Sequence, residues 1–333
     1  MRVSVVIPTY NSAAVIRPTL DSVLRQTLQP AEILVLDDGS RDSTVSILDS
    51  YQPRITVIQR QNRGVAAARN VLGSMASGDL IAFLDHDDLW HPAYLETQRN
   101  RFLQYPKAVA FFTGHIDFCG YGNHEWGVTQ SELQQRAEVL EGSSFFESYN
   151  HAPGRWGSMS FLCIPKRVLS QIGGNPFCEA VSGADDFYLC NTFPLLGPVV
   201  YTLAPLVAYR IVKEAQSANQ VKSFRLAVEA MRILAPRYAQ APGSDLRRLY
   251  HQAFAAKKRR YAKTLMGIGN IADARQQLRE ALRTSAHPAS LLKTALLWGQ
   301  THLPSAFQPA WPSRDRVTVL TQCRPDAAPS KYE

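Results

Sequence analysis

Residues 80–88 read LIAFLDHDD, an apolar run that is followed at once by three carboxylates. Two earlier stretches have the same form, VSVVIPTYN at residues 3–11 and ILVLDDGS at residues 33–40. In each, a short run rich in Val, Ile and Leu predicts a strand, and the polar residues after it predict a turn. Helical periodicity at residues 15–24 and 65–76 separates these strands. This alternation predicts an α/β fold with a central, mostly parallel sheet flanked by helices.

The polar residues after these strands fall on one edge of the predicted sheet, the edge at which α/β proteins bind ligands. The sequence Asp85-His86-Asp87-Asp88 places three carboxylates within four residues. Such carboxylates repel one another unless a cation lies among them, and Mg²⁺ and Mn²⁺ prefer oxygen ligands. The same residues also fit a capping turn with solvated acids, since Asp is common where a strand passes into a turn. A metal site and a capping turn both remain open here.

Three further polar clusters allow a functional or a purely structural interpretation. Asp37-Asp38-Gly39-Ser40 is either a ligand-binding loop or a plain turn with Gly39 at positive φ. Residues 62–70 (NRGVAAARN) open a helix with small residues, so its backbone N–H groups and Arg69 can receive a phosphate. Asp185-Asp186 precedes an apolar helix and is either a helix cap or a general base. The chain has no G-x-G-x-x-G and no Walker lysine, which argues against Rossmann and P-loop proteins.

The order of the clusters along the chain is more specific than any single one. The order is Pro8-Thr9-Tyr10-Asn11, Asp37-Asp38-Gly39-Ser40, Asn62-Arg63-Gly64, Ala68-Arg69-Asn70, Asp85-His86-Asp87-Asp88 and Asp185-Asp186. It resembles family 2 glycosyltransferases, the inverting nucleotide-sugar enzymes with a GT-A fold. The resemblance covers residues 1 to about 220 and implies a GT-A catalytic domain at 1–220. Within it, 1–105 would be the nucleotide-sugar-binding half and 106–220 the acceptor-binding half.

The resemblance implies nucleotide contacts from the first clusters. Pro8, Tyr10 and Asn11 would form the first nucleotide-binding loop, with Tyr10 stacking near the base. Asp38 would read the edge of the base. Arg69 would contact the nucleotide or its diphosphate. A UDP-sugar is the expected donor.

The resemblance also gives the acidic clusters their roles. Asp87 would lie at the ribose, and Asp85 would complete the motif. Asp88, together with Asp87, would hold a Mn²⁺ or Mg²⁺ ion that bridges the two phosphates of the donor. Asp186 would be the catalytic base; the family commonly has Glu-Asp where this chain has Asp185-Asp186.

The implied reaction is the inverting transfer of a sugar from a nucleotide-diphosphate sugar to a hydroxyl of a glycan or lipid-linked sugar acceptor. The expected setting is surface polysaccharide or lipopolysaccharide biosynthesis. The alternative is a catalytically silent member that acts as an adaptor through its basic C-terminal end. Retention of the candidate site residues disfavours that alternative, because a silent protein is free to lose them. A nucleotidyltransferase would need a glycine-rich basic loop after the first strand, and PTYN is not one.

The C-terminal third is basic. Residues 222–333 contain 19 Lys and Arg against 7 Asp and Glu, whereas residues 1–221 contain 17 and 21. We predict a basic helical region at 221–303 and a Pro-rich tail at 304–333. Residues 247–298 combine basic residues with an apolar helical face, which either packs on the catalytic domain or docks on an anionic membrane surface. No nucleic-acid-binding signature is present, so nucleic acid is not an expected partner.

The cysteine pattern and the hydropathy of the sequence indicate where in the cell the protein is expected. Five scattered cysteines without a C-x-x-C pair argue against a disulfide scaffold and favour reduced thiols. No stretch has the length and hydropathy of a membrane span or a signal peptide. We expect a cytoplasmic protein, peripheral at the inner face of the plasma membrane if the basic end binds lipid.

Overall fold

A computed structural model describes residues 1–151, 155–156, 158–173, 175–211, 219–241 and 243–302. The strands are β1 (Val3–Thr9), β2 (Glu32–Asp37), β3 (Thr56–Gln59), β4 (Leu80–Phe83), β5 (Leu89–Trp90), β6 (Ala110–Phe118), β7 (Glu138–Leu140), β8 (Leu162–Pro165) and β9 (Val199–Arg210). The helices are α1 (Ile16–Leu24), α2 (Thr44–Asp49), α3 (Val65–Met75), α4 (Tyr94–Gln104), α5 (Gln130–Leu133), α6 (Gly142–His151), α7 (Lys166–Ile172), α8 (Asp185–Cys190), α9 (Gln220–Ala239), α10 (Ser244–Gly267), α11 (Ile271–Thr284) and α12 (Pro288–Gln300).

The described residues form two compact units. The first contains residues 1–182 and 192–211, and the second contains residues 183–191 and 219–302. Every described strand belongs to the first unit, whereas α8 groups with the four C-terminal helices in the second. The domain boundary at residue 220 stays a prediction, and the predicted tail at 304–333 lies outside the described residues.

The strands form one sheet in the order β3-β2-β1-β4-β8-β6-β9-β5, with β7 added beside β9. Among the described strands, β1, β2, β3 and β4 are parallel, β8 runs against them, and β6 and β9 resume their direction. All residues of β1 and β4 are buried, as expected when helices cover both faces of a parallel sheet. The predicted α/β fold with a mostly parallel central sheet is confirmed. The carboxyl ends of β1, β2 and β4 therefore meet at one edge.

Strand β9 differs from the prediction. The sequence predicts two short strands at 199–201 and 206–209, whereas the structure has one strand that pairs along β6 with shifts of register at Gly114. A Cβ atom on Gly114 would lie 2.6 Å from the carbonyl oxygen of Leu203, so only glycine allows β9 to pass this close. The irregular register keeps the strand continuous through Leu-Ala-Pro at 203–205, which otherwise looks like a break.

The segment 130–147 also differs from the prediction of one largely helical stretch. The structure splits it into α5, β7 and the start of α6. Thr129 and Glu132 form a capping box that begins α5, and β7 then pairs with β9 as an added antiparallel strand. The pairing partner for β7 lies sixty residues further along the chain, so local helical propensity cannot reveal it.

The second unit confirms the predicted C-terminal helices. Leu265 of α10, Leu278 of α11 and Leu297 of α12 are buried in a shared apolar cluster. Among the described helices, none combines the length and the hydropathy that a membrane crossing needs. Of the cysteines, Cys163, Cys178 and Cys190 are free thiols, but Cys119 is disulfide-bonded. The expectation of reduced thiols is therefore wrong for Cys119.

Candidate functional site

The loops after β1 and β2 are joined by Asn11. Its backbone N–H donates to Ser40 Oγ at 2.8 Å, and its Oδ1 accepts from the backbone N–H of Arg41 at 2.8 Å. Asn11 has a φ of +48°, a left-handed conformation that Asn adopts more readily than most residues. Gly39 has a φ of +83°, and a Cβ there would lie 3.1 Å from the backbone N of Asn62. These two positions bring three loops together at the carboxyl edge of the sheet.

A cavity of about 480 Å³ lies between these loops. Its lining includes Tyr10, Asp37, Ser40, Arg60 and Asn62. Tyr10 is 41% exposed, so its ring is available to a ligand in the cavity. The volume falls in the range of pockets that hold cofactor-sized ligands. The structure thus brings the predicted nucleotide-loop residue Tyr10 to a suitable cavity.

Asp38 holds the neighbouring loop together. Its Oδ1 accepts from Arg60 Nε at 2.6 Å, and its Oδ2 accepts from the backbone N–H of Gly64 at 2.7 Å. The backbone N–H of Arg63 adds a contact at 3.1 Å. Asp38 is 4% exposed, so both of its oxygens are engaged with protein donors. Its predicted contact with a base edge stays a prediction, and Asp37, the neighbouring acid, lines the cavity.

The acidic cluster after β4 is organised around Arg69. The Arg69 guanidinium, 6% exposed, donates to Asp85 Oδ1 at 2.6 Å, and Ser158 Oγ lies 3.0 Å from Asp85 Oδ2. The backbone N–H of Asp85 donates to Ser160 Oγ at 3.0 Å. Burial alone would raise the pKa of Asp85, but the charge and hydrogen bond of Arg69 outweigh it and keep that pKa lowered. Asp85 is therefore ionised and fixed by its partners.

Asp88 is fully buried and is tied to the end of β9. Its Oδ1 accepts from the backbone N–H of Arg210 at 2.9 Å, and its Oδ2 lies 3.3 Å from Ser158 Oγ. The Arg210 side chain donates through Nε to the carbonyl of Asp87 at 2.6 Å and through Nη1 to the carbonyl of Gly120. Arg210 is itself 2% exposed. The cluster is thus held from both β4 and β9.

The charged forms of the other two carboxylates in this cluster, Asp87 and Asp88, are disfavoured. Burial, together with the nearby Asp87 and Asp85 carboxylates, raises the pKa of Asp88 well above its usual range. Burial also raises the pKa of Asp87, and the Asp85 charge adds to the effect. Additional positive charge among these carboxylates would lower both pKa values.

The donor set decides whether a divalent metal fits. Among the described residues no group of three or more His, Cys, Asp or Glu side chains forms a metal site. A Mg²⁺ ion, however, is usually held by one or two protein carboxylates together with substrate phosphates. Asp87 and Asp88 offer two carboxylates, so the residues fit a metal that a diphosphate helps to bind.

The remaining predicted residue, Asp186, lies in the first turn of α8 in the second unit. Asp185 is buried and turns back to accept from the backbone N–H of Gly183 at 3.0 Å. Asp186 is only partly buried, and its Oδ1 accepts from the backbone N–H of Phe187 at 2.6 Å. The residue before α8, Ala184, is the N-cap, so both acids lie in the first turn of the helix and not at the N-cap position itself.

Sequence reasoning missed three residues that build the site, Ser158, Arg60 and Arg210. Ser158 contacts two of the clustered carboxylates, but a lone serine in an irregular segment carries no signal. Arg60 follows β3 at the same edge as the other polar clusters, and that position could have identified it. Arg210 ends β9, and its backbone bond to Asp88 depends on a pairing between distant strands.

The amino-acid sequence matches a family model and several curated proteins. Residues 4–163 match the model of Glycosyl transferase family 2. An uncharacterized glycosyltransferase of Rickettsia prowazekii is 39% identical over 222 residues, which are 65% of this chain and 66% of the relative. The Escherichia coli UDP-Glc:alpha-D-GlcNAc-diphosphoundecaprenol beta-1,3-glucosyltransferase WfgD is 38% identical over 125 residues, which are 37% of this chain and 46% of WfgD. The chain therefore spans 66% and 46% of the length of these relatives.

Solved structures share the fold. TarS residues 1–349 of S. aureus, in complex with UDP-GlcNAc, superpose with a TM-score of 0.64 and 18% identity, over 91% of this chain and 89% of that one. The mannosyltransferase PcManGT of Pyrobaculum calidifontis, in complex with GDP-Man and Mn²⁺, gives 0.55 and 22% identity, over 89% and 79%. At 18% and 22% sequence identity, these structures show a shared fold only. The family match and the shared fold together identify residues 4–163 as a glycosyl transferase family 2 domain with a GT-A-type sheet.

Proposed function

We propose that the protein is an inverting, metal-dependent glycosyltransferase that moves a sugar from a nucleotide-diphosphate sugar to a hydroxyl acceptor. The observation that carries the proposal is the acidic cluster at the carboxyl edge of the sheet. Arg69 fixes Asp85 there, while burial, together with neighbouring carboxylates, raises the pKa values of Asp87 and Asp88. The cavity at the same edge suits the nucleoside, with Tyr10 as the ring nearest to the base.

The donor half of the site has to make a diphosphate a good leaving group. Asp87 and Asp88 would hold a Mn²⁺ or Mg²⁺ ion, which supplies positive charge to the diphosphate. Arg69 and Ser158 keep the cluster in one arrangement by bonding Asp85. Positioned charges of this kind stabilise a transition state without reorganising as charge develops.

The acceptor half has to activate a weak nucleophile. An acceptor hydroxyl needs a base within hydrogen-bond distance as its oxygen bonds to the sugar carbon. Asp186 is proposed for that role because it is less buried than Asp185, whose carboxylate is turned back onto Gly183. The hydroxyl proton passes to Asp186, the oxygen bonds to C1, and the bond from C1 to the diphosphate breaks on the opposite face. The anomeric centre is therefore inverted.

The names of the relatives support a class of substrates. WfgD carries UDP-Glc and a GlcNAc-diphosphoundecaprenol in its name, and the TarS structure contains UDP-GlcNAc. We propose a UDP-sugar donor and a glycan or lipid-linked sugar acceptor, in surface polysaccharide or lipopolysaccharide assembly. The adaptor alternative differs in its outcome, since a silent protein would release no UDP from any UDP-sugar.

Donor binding can be tested by thermal unfolding. We expect UDP with Mn²⁺ to raise the melting temperature more than UDP alone, and more than GDP or dTDP with Mn²⁺. A ligand at 100 times its Kd stabilises the folded state by about 2.7 kcal/mol, which is a shift of several degrees. If no nucleoside diphosphate shifts the melting temperature in the presence of Mn²⁺, the proposed donor site is wrong.

The basic C-terminal helices provide a surface for docking at the inner face of the plasma membrane. Residues 222–302 contain 15 Lys and Arg against 4 Asp and Glu. On α12, Leu292 and Leu296 lie one turn apart and are 62% and 61% exposed. We propose that this face meets anionic lipid while basic side chains meet the headgroups. The proposed setting is cytoplasmic.

Some of the basic residues cannot take part in that docking. Lys258 is 5% exposed and donates to Thr284 Oγ1 at 3.0 Å. Arg259 donates to Ser290 Oγ at 2.8 Å on α12. Arg247 and Arg260 are exposed, so the attraction to lipid rests on them and on other exposed basic side chains.

Sedimentation with liposomes tests the docking. Binding should rise with the fraction of anionic lipid and fall with salt, since each basic residue near the surface contributes about 1 kcal/mol and is screened. Leu292→Ser with Leu296→Ser should reduce binding several-fold. Leu103→Ser, which changes an exposed leucine on α4 of the first unit, is the matched control. Absence of co-sedimentation at low ionic strength with strongly anionic vesicles would contradict the proposal.

A further inference from the structure

Helix α8, which carries the proposed base, has only six residues. A helix of this length is not stable by itself in water, so its position depends on what it packs against. Its packing partners in the second unit are α9 and α10. Tyr238 of α9 donates its hydroxyl to the backbone carbonyl of Asn191, the residue that ends α8, at 2.7 Å.

Tyr238 is well placed to act as an anchor. Its side chain is fully buried, and its ring stacks on that of Tyr250 of α10 with 4.3 Å between centroids and 18° between planes. The hydroxyl of Tyr250 donates to the backbone carbonyl of Met231 on α9. Burial raises the pKa of Tyr238 well above its usual range, with a further contribution from Tyr250. Its hydroxyl therefore stays protonated and remains a donor at physiological pH.

A second contact holds the other end of the helix. The ammonium group of Lys257 of α10 lies 4.5 Å from the centroid of the Phe187 ring. Phe187 directly follows Asp186 in the chain. A desolvated cation over an aromatic face contributes more than an exposed one, and burial with the nearby Arg260 charge lowers the pKa of Lys257 to about 8. Lys257 of α10 thus contacts the turn that carries Asp186, and Tyr238 of α9 contacts the C-terminal end of α8.

We infer that Tyr238 is a positioning residue for the catalytic base, acting through its hydrogen bond to the carbonyl that ends α8. The inference rests on the proposed function, since it takes Asp186 as the base. The C-terminal helices then have a role in catalysis beyond any docking surface. A displacement of a reacting group by about 1 Å can cost 10²-fold in rate, so even a partial loosening of α8 should be measurable.

The chain offers a matched pair of variants for the test. Tyr238→Phe and Tyr250→Phe each remove one buried hydroxyl that donates to a backbone carbonyl, and both keep the stacked rings. In Tyr238→Phe the lost partner is on α8, and in Tyr250→Phe it is on α9. The two variants should therefore lose similar stability, while only one of them loosens the base.

Two measurements on the full chain separate the variants. Hydrogen–deuterium exchange of the peptide covering 183–191 should be faster in Tyr238→Phe and close to wild type in Tyr250→Phe. The kcat for UDP release from UDP-glucose or UDP-N-acetylglucosamine, whichever the wild type turns over, should fall about tenfold in Tyr238→Phe only. The affinity for UDP with Mn²⁺ should be unchanged in both variants, because the donor residues lie in the first unit.

Equal exchange at 183–191 or equal kcat in the two variants would overturn the inference. If Tyr238→Phe does not fold, Lys257→Met takes its place, with the same expected rise in exchange and a fall of kcat of at least threefold. Failure of the proposed function has a different signature. In that case Asp186→Asn keeps normal turnover, or the wild type releases no UDP, whatever the two tyrosine variants do to exchange.

Discussion

Asp186→Asn is expected to lower the rate of sugar transfer by about 10²–10⁴-fold, the usual contribution of a general base, while UDP affinity stays unchanged. The amide has the size of the carboxylate and can still accept the hydrogen bond from Phe187, so α8 should keep its structure. It cannot take the proton of an acceptor hydroxyl at neutral pH. Initial rates of UDP release, with calorimetric titration of UDP in the presence of Mn²⁺, measure the two quantities.

Asp185→Asn is the control for this experiment. Asp185 precedes Asp186 by one residue, is buried, and accepts from the backbone N–H of Gly183, a bond that the asparagine oxygen can also accept. We expect a small loss of stability and a rate within about tenfold of wild type. Near-normal turnover in Asp186→Asn would show that the base lies elsewhere, and a severe loss in Asp185→Asn would make Asp185 the next candidate.

The first hundred residues were predictable because their signals are local. An apolar run ended by an acid, as at residues 80–88, identifies both a strand and its carboxyl end. Parallel pairing then forces such ends to one edge. That is why Asp85, Asp87 and Asp88 could be placed at the same edge as the loops after β1 and β2, although the family resemblance was needed to suggest what each residue does. The ion pair of Arg69 with Asp85 was not predicted.

The rest of the site depends on pairings that no local pattern encodes. Arg210 meets Asp88, 122 positions earlier in the chain, because β9 runs beside β5 and β6. The oxygens of Asp38 accept from Arg60 and Gly64, contacts that were not predicted, and its contact with a base edge stays a prediction. The sequence alone shows an acid in a turn and cannot show which donors reach it.

Helix α8 illustrates the same limit for the division of the chain. A boundary drawn at residue 220 follows the change in charge and periodicity, whereas α8 at Asp185–Cys190 groups with the C-terminal helices. Two contacts within this unit, Tyr238 with Asn191 and Lys257 with Phe187, join residues 47 and 70 positions apart. Tertiary contacts of that kind leave no trace in the spacing of residues.

Asp88→Asn is expected to remove the dependence of UDP binding on Mn²⁺. The amide keeps the acceptor for the Arg210 N–H and the contact with Ser158, so the fold should be preserved, but it removes a metal-binding charge. Loss of even an outer partner of a metal ligand costs about 10–100-fold in metal affinity, and loss of a ligand should cost at least as much. In calorimetric titrations, the UDP affinity of the variant should therefore be the same with and without Mn²⁺. The wild type should bind UDP more tightly when Mn²⁺ is present.

This result can be interpreted because the substitution is asparagine and not alanine, and because a matched control variant is available. Alanine would leave the buried N–H of Arg210 without its acceptor, at a cost of about 1–3 kcal/mol, and a weakened fold could imitate a lost metal site. Asp79 lies at the opposite end of β4 with a side chain 59% exposed, so Asp79→Asn removes the same charge far from the cluster and should bind like wild type. If Asp88→Asn keeps the full gain in UDP affinity from Mn²⁺, Asp88 does not bind a metal ion. The metal-dependent part of the proposed mechanism is then wrong.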